Sequence, residues 1–286
     1  MKDNKKFENY VIVTDLDGTF LGKKSRIVPR NIERIKYFIE NGGNFTIATG
    51  RIVSQVADTI PELCDIVTLP MITANGSLLY DVKKGEVMAK FPIPYELLRE
   101  LSAFVHAYSE TAGLRAGSVT YYLATERDMM SPKINRDLSG ERIRKIAPLE
   151  AWRGEEVYKV AVREELDKIE DLRAQIKERF GETFEVTTSS NTLIEIIAKG
   201  RTKAVMIGEM ADICYSGKAQ PKIFACGDYD NDIAMLTAAD VAVCPSNASE
   251  SVKAICDLCL CHHDEGLIGA LIDEMDNGRF EADNLL

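Results

Sequence analysis

Two acidic strings carry the side chains most able to do chemistry, Asp15-Leu16-Asp17-Gly18-Thr19 and Gly227-Asp228-Tyr229-Asp230-Asn231-Asp232. Each follows a short apolar run, Val11-Ile12-Val13 in the first case and Ile223-Phe224-Ala225 in the second. Carboxylates crowded into one place repel one another and lose solvation, which is costly without a cation or catalytic work to explain it. A lone Asp-x-Asp-Gly has a plainer account, since Asp-Gly is ordinary turn chemistry. Taken together, Asp15, Asp228 and Asp232 suit Mg²⁺, which takes hard oxygen ligands, accepts one or two carboxylates and shares its remaining positions with water and phosphate. Zinc, by contrast, prefers Cys and His. A phosphoryl group brought to such an ion needs positive charge and donors around its oxygens. Lys203, the hydroxyl of Thr49, and the backbone amides near Leu16 and Asn75 can supply them. A solvated surface lysine is the alternative for Lys203, and its acidic company at a domain junction favours function.

The surrounding elements must bring these strings to one edge. Residues 11–13 form a continuous β-branched run suited to a strand buried on both faces of a parallel sheet. Gly18 permits the turn that follows. A helix over 26–41, a strand over 44–51, a helix over 52–60 broken by Pro61, and strand segments at 66–69 and 71–73 give the alternation of a parallel sheet with right-handed crossovers. The tips Asp15–Thr19, Thr49-Gly50-Arg51 and Ala74-Asn75-Gly76 then share the carboxyl edge, where open α/β sheets hold ligands.

After Tyr80 the rhythm changes. A hairpin (77–80 against 86–91), a helix over 95–111, strands at 120–125 and 156–162, a helix over 166–180 and strands at 184–188 and 193–198 mix the two element types. Residues 126–150 fit no pattern. The span 82–197 therefore reads as an inserted α+β domain. From Lys199 the first rhythm resumes, with helices at 204–214 and 233–238, strands at 221–226 and 241–244, and a C-terminal helix after Gly266. The expected fold is α/β, a Rossmann-like parallel-sheet core (1–81 and 198–286) with helices on both faces and the α+β insert between.

In order, Asp15–Thr19 (DLDGT), Thr49–Arg51 (TGR), Lys203 within GRTKA, and Gly227–Asp232 (GDYDND) resemble the four motifs of the haloacid dehalogenase-like (HAD) hydrolase superfamily. The insert resembles the large cap of the Cof-type subclass, IIB. So does Ala74-Asn75-Gly76, whose Asn in that subclass faces substrate near the hinge. Thr14 and Phe20 flank the first motif where other residues are commoner. The resemblance implies a Mg²⁺-dependent phosphatase of small phosphorylated metabolites, either sugar phosphates or phosphorylated cofactors. Asp15 would attack phosphorus and form an aspartyl-phosphate. Asp17 would protonate the leaving alcohol and then deprotonate water. Mg²⁺ would be held by Asp15, Asp228 and the backbone carbonyl of Asp17, with Asp232 acting directly or through water. Thr49, Gly50 and Asn75 would bind the phosphoryl group with Lys203, and Asn231 would position Lys203 or the phosphate. A phosphomutase on the same core is an alternative. So is a non-catalytic binding or regulatory protein, which would be expected to lack Asp15 or Asp17.

The 286 residues carry a formal net charge of −10, which argues against nucleic acid or an anionic membrane as partner. A polar N-terminal stretch and the absence of any window of membrane-span length lead to the expectation of a cytoplasmic protein. Seven cysteines are expected as free thiols. Cys256, Cys259, Cys261, His262 and His263 are zinc-ligand types, but an alternating strand over 258–261 would send neighbouring side chains to opposite faces. In the insert, Arg115, Tyr121 and Tyr122 suit substrate contact, core packing or a solvated face equally well.

Overall fold

A computed structural model of the chain describes residues 5–125, 128, 143–145, 154 and 156–280. Most of the stretch 126–150 lies outside them. The central sheet has the order β16-β15-β14-β1-β4, every pairing parallel. Its strands are β1 (Tyr10–Thr14), β4 (Asn44–Ile47), β14 (Lys222–Cys226), β15 (Val241–Cys244) and β16 (Leu258–Cys259). The period-2 alternation of a strand divides its side chains between the two faces. Ile12, Phe45, Ile47, Phe224 and Val243 pack under α1 (Pro29–Glu40) and α9 (Leu267–Asp276). Val11, Val13, Ala225 and Ala242 pack under α6 (Lys203–Cys214), α7 (Ile233–Ala238) and the short α8 (Glu250–Lys253). Both faces are covered, as the apolar runs require. Among the described residues no helix is long and apolar enough to cross a membrane.

Several expected bounds move, each for a local reason. The first helix starts at Pro29, whose fixed φ suits the first helical position, and Arg26–Ile27 form β3 against β2 (Leu21–Gly22). Pro61 likewise opens a helix, α3 (Pro61–Ile66), immediately after α2 (Val53–Thr59). Ile66 therefore belongs to a helix, and β5 is only Met71–Thr73. β5 pairs antiparallel with β6 (Leu78–Asp81), which pairs with β7 (Glu86–Lys90). A parallel bridge between Ala48 and Ile72 still sets the β5 tip beside the β4 tip.

The insert carries a six-stranded sheet of order β10-β9-β8-β11-β13-β12. Its strands are β8 (Gly113–Gly117), β9 (Tyr122–Ala124), β10 (Ile143–Lys145), β11 (Lys159–Arg163), β12 (Phe184–Ser190) and β13 (Leu193–Ala198). β8 was not expected, because its Gly-Leu-Arg-Ala-Gly is poor in β-formers. Helices α4 (Tyr95–Tyr108) and α5 (Ile169–Phe180) cover one face with Leu98, Leu101, Val105, Leu172 and Ile176. The six-stranded sheet thus builds its own hydrophobic core, apart from that of the parallel sheet.

Candidate active site

Asp15 follows the last residue of β1 and is tied to the neighbouring strand by its N–H on the Cys226 carbonyl (2.8 Å). The chain then turns at Gly18, with φ +84°. A Cβ there would lie 2.3 Å from Asp228 Oδ2, so only glycine lets the two acidic loops approach this closely. Two further hydrogen bonds brace the loops against the β15 tip. Asn247 Nδ2 donates to the Gly18 carbonyl (2.9 Å), and the Ser249 N–H donates to the Asp228 carbonyl (3.0 Å).

Lys203 is the first residue of α6 and sits behind the N-cap Thr202. Its side chain is 1% exposed, and Nζ donates to Asp15 Oδ1 and Asp232 Oδ1, each at 2.6 Å. Asp232 Oδ2 accepts from the backbone N–H of Asp228 (3.0 Å) and of Tyr229 (3.3 Å). Asp228 Oδ1 accepts from the Thr19 hydroxyl at 2.8 Å. Carboxylate oxygens of Asp15, Asp228 and Asp232 all lie within 4.8 Å of one another.

The electrostatics follow from this crowding. Burial pushes the Asp15 carboxyl well above its ordinary range; Lys203 opposes the rise, and Asp232 and Asp228 add to it. Asp228 is pushed up to about 6, chiefly by burial and then by Asp232. Burial would lower Lys203, but the Asp15 and Asp232 charges outweigh it and hold the group as an ammonium. Two buried carboxylates and a half-buried third facing one cation leave the array short of positive charge. Hard oxygen donors in that state fit a divalent ion such as Mg²⁺. Asp15 and Asp228 would hold it from this array. Asp232 is already occupied by Lys203 and two amides, and so braces the other members.

Asp17 stands apart from the acidic group. Its side chain is 56% exposed and is gripped by Arg51, with Nε on Oδ2 at 2.8 Å and a terminal nitrogen on Oδ1 at 2.6 Å. Thr49 is buried at the β4 tip, and its hydroxyl accepts from the Arg51 N–H (3.1 Å). The Thr49 carbonyl accepts from the Asn75 N–H (3.0 Å). Ala74 and Asn75 both have left-handed backbones (φ 50° and 58°), a strained turn of the kind that gathers at functional sites. Asn231 is half-buried in the short turn before α7 and makes no hydrogen bond to Lys203. The tips therefore gather Asp15, Thr49, Gly50, Asn75, Lys203, Asp228 and Asp232, with Asp17 at the mouth.

Sequence reasoning missed the Arg51 fork on Asp17. It also missed two charged residues of the insert, Lys159 and Glu195, which reach Gly50 and Asn75. Their signal was present: each interrupts an otherwise apolar strand. The cysteine–histidine string resolves differently. β16 ends at Cys259, so the alternating strand over 258–261 is cut short. All seven cysteines are free thiols. Among the described residues the second metal-capable group is His262, His263 and Asp264, without a cysteine.

A family model described as haloacid dehalogenase-like hydrolase matches residues 12–271. The chain belongs to that family. This hydrolase is 25% identical to the 5-amino-6-(5-phospho-D-ribitylamino)uracil phosphatase YwtE of Bacillus subtilis, over 94% of this chain and 99% of the relative. It is 25% identical to the pyridoxal phosphate phosphatase YbhA of Escherichia coli, over 85% of this chain and 90% of the relative. Among solved structures it superposes on the HAD subclass IIB sugar phosphatase BT4131 with a TM-score of 0.76 at 24% identity, over 93% of this chain and 98% of that one. The hydrolase thus shares the HAD Rossmann-like core and the cap fold of that structure, and it is an enzyme of the phosphatase type.

Proposed function

We propose that this hydrolase is a Mg²⁺-dependent phosphatase of small phosphorylated metabolites, acting through an aspartyl-phosphate on Asp15. The observation that carries the reading is the buried Asp15 carboxylate, held by Lys203 within 4.8 Å of Asp228. A nucleophile, a fixed cation and a metal-binding carboxylate in one place are what phosphoryl transfer requires. The ion, held by Asp15, Asp228 and the Asp17 carbonyl, would supply charge to offset repulsion between carboxylate and phosphate.

Asp15 attacks phosphorus with the oxygen not engaged by Lys203, and the ester oxygen leaves on the opposite side. Lys203, the Thr49 hydroxyl and the loop amides at Gly50 hold the phosphoryl oxygens. Asp17 leaves its fork with Arg51, takes up a proton from solvent, gives it to the departing alcohol, and as a carboxylate takes one from the water that attacks the aspartyl-phosphate, which leaves it protonated for the next turnover. Water thereby releases phosphate and restores Asp15. We assign 1–81 and 198–286 to the catalytic core and 82–197 to the cap, with β7 pairing back onto the core-side hairpin. The cap turn reaches the core where Tyr229 Oη donates to Asn191 Oδ1 (3.3 Å), beside the second acidic loop. The leaving group lies between them. Relatives acting on a ribitylamino-uracil phosphate and on pyridoxal phosphate support sugar-like or cofactor esters as substrates. A cytoplasmic location is proposed with this reading, in keeping with such substrates.

Purified protein is expected to hydrolyse 4-nitrophenyl phosphate with Mg²⁺ and to lose that activity in EDTA. Asp15→Asn should be inactive at equal metal. Wild-type turnover by Asp15→Asn would remove the nucleophile assignment, and failure to cleave any ester of a broad metabolite panel would remove the phosphatase reading.

A further inference from the structure

The cap sheet has one apolar face under α4 and α5, and alternation sends Arg115, Lys159, Ala161 and Glu195 to the other. Lys159 and Glu195 are each 3% exposed, although charged residues in strands are rarely buried without a purpose or a partner. Lys159 Nζ donates both to a Glu195 carboxylate oxygen and to the Gly50 carbonyl. The second Glu195 oxygen accepts from Asn75 Nδ2 at 2.9 Å. That bond fixes the Asn75 amide, because the reverse orientation would set oxygen against oxygen. Among the described residues Asn75 Oδ1 is then left buried and without a hydrogen-bond partner, in a residue only 5% exposed. An orphaned buried acceptor is destabilising, so it points to a donor that arrives later. Gly50 lies against the same oxygens: a Cβ there would sit 2.9 Å from Asn75 Oδ1 and 3.1–3.2 Å from the Glu195 carboxylate. Acceptors from the cap and from the core thus converge beside Thr49. Such a corner disfavours phosphate oxygens and suits a hydroxyl.

We propose that Glu195 and the Asn75 carbonyl oxygen, with Lys159 positioning Glu195, form a specificity-determining subsite that accepts a hydroxyl of the leaving group close to the ester. The proposal rests on the phosphatase reading of the same site. The Glu195–Asn75 bond closes the corner. A substrate seated on Thr49 and Gly50 separates the two residues, and a leaving group with hydroxyls replaces the bonds it breaks. A leaving group without them leaves a buried carboxylate and an amide unpaired. Ala161, paired between Arg115 and Glu195 in the sheet, is the small residue at the floor beside this corner.

Sorbitol 6-phosphate and hexyl phosphate have equal chain length and differ in their hydroxyls, so their kcat/KM ratio reads the subsite directly. The wild type is expected to favour sorbitol 6-phosphate by about 100-fold, and Glu195→Gln to cut that ratio by about tenfold or more. Its rates on hexyl phosphate and 4-nitrophenyl phosphate, which bring no hydroxyl to the corner, should hold or rise while that on sorbitol 6-phosphate falls, whereas a merely structural role would lower all three rates together. Lys159→Gln should move the ratio in the same direction by less. The wild-type ratio needs no variant and holds the test even if Glu195→Gln fails to fold. A wild-type ratio near one, or an equal loss on all esters in Glu195→Gln, overturns the subsite while 4-nitrophenyl phosphate hydrolysis still upholds the phosphatase. Cleavage of no ester at all would instead remove the phosphatase reading itself.

Discussion

Replacing Lys203 by Met removes the cation that two buried carboxylates share. Its Nζ stands 2.6 Å from both Asp15 and Asp232, and all three side chains are at most 8% exposed. Breaking a buried ion pair from one side costs about 3–5 kcal/mol. A second route gives the same size. If one carboxyl takes a proton instead, moving it from an ordinary pKa of about 4 to above pH 7 costs about 4 kcal/mol, at about 1.4 kcal/mol per unit. The sign of the pH dependence follows. A carboxyl whose folded pKa is raised keeps its contribution at low pH and loses it as pH rises. Relative to wild type, the variant should therefore be destabilised by about 4 kcal/mol at pH 7 and by about 1–2 kcal/mol at pH 5. Asp15 is already raised in the wild type, so the comparison is of differences between the two proteins. Urea unfolding in EDTA at the two pH values measures it. Mg²⁺ should restore more stability to the variant than to the wild type, since it supplies the missing charge. A loss below about 1 kcal/mol, or one that does not shrink in acid, would refute the shared-cation account.

Thr19→Val removes the hydroxyl on Asp228 and should weaken Mg²⁺ by about 10–100-fold, read as the metal concentration for half-maximal hydrolysis. Gly18→Ala forces a methyl to within 2.3 Å of Asp228 Oδ2 at φ +84°. It should cost about 1–3 kcal/mol in thermal unfolding and a larger share of metal affinity. Asp276 is held down to about 2, chiefly by bonds from Lys6 and Tyr37, and joins α9 to α1. Its lowered value means a contribution present above the ordinary carboxylate range and lost as pH falls through about 4 to 2. Asp276→Asn should cost about 1 kcal/mol at pH 7, a small figure because the pair is partly solvated, and nothing at pH 2.

The strand tips were legible because alternation, glycine turns and acidic strings are local signals. Val11, Val13 and Ile12 divide between two helical layers as their period demands, and Asp15 and Asp228 meet because the sheet order places β1 beside β14. The misread bounds are also local. Pro29 and Pro61 each open a helix, since the missing N–H costs nothing in a first turn. Non-local partners were not legible. Arg51 finds Asp17 across two loops, and Glu195 finds Asn75 across the seam between insert and core. Neither spacing exists in the sequence. Only the charge stranded in Lys159–Arg163 and in Leu193–Ala198 hinted that those strands had something to face.

The central claim is that Asp15 becomes phosphorylated. The Asp17→Asn variant should accumulate that species, because an aryl leaving group needs little acid help while hydrolysis of the acyl phosphate loses its base. The measurement is acid quench after mixing with Mg²⁺ and 4-nitrophenyl phosphate, borohydride reduction and peptide mapping. The account predicts that residue 15 alone is reduced to an alcohol, and that Asp15→Asn shows no reduction. Steady hydrolysis with residue 15 untouched, or trapping at another carboxylate, would contradict it.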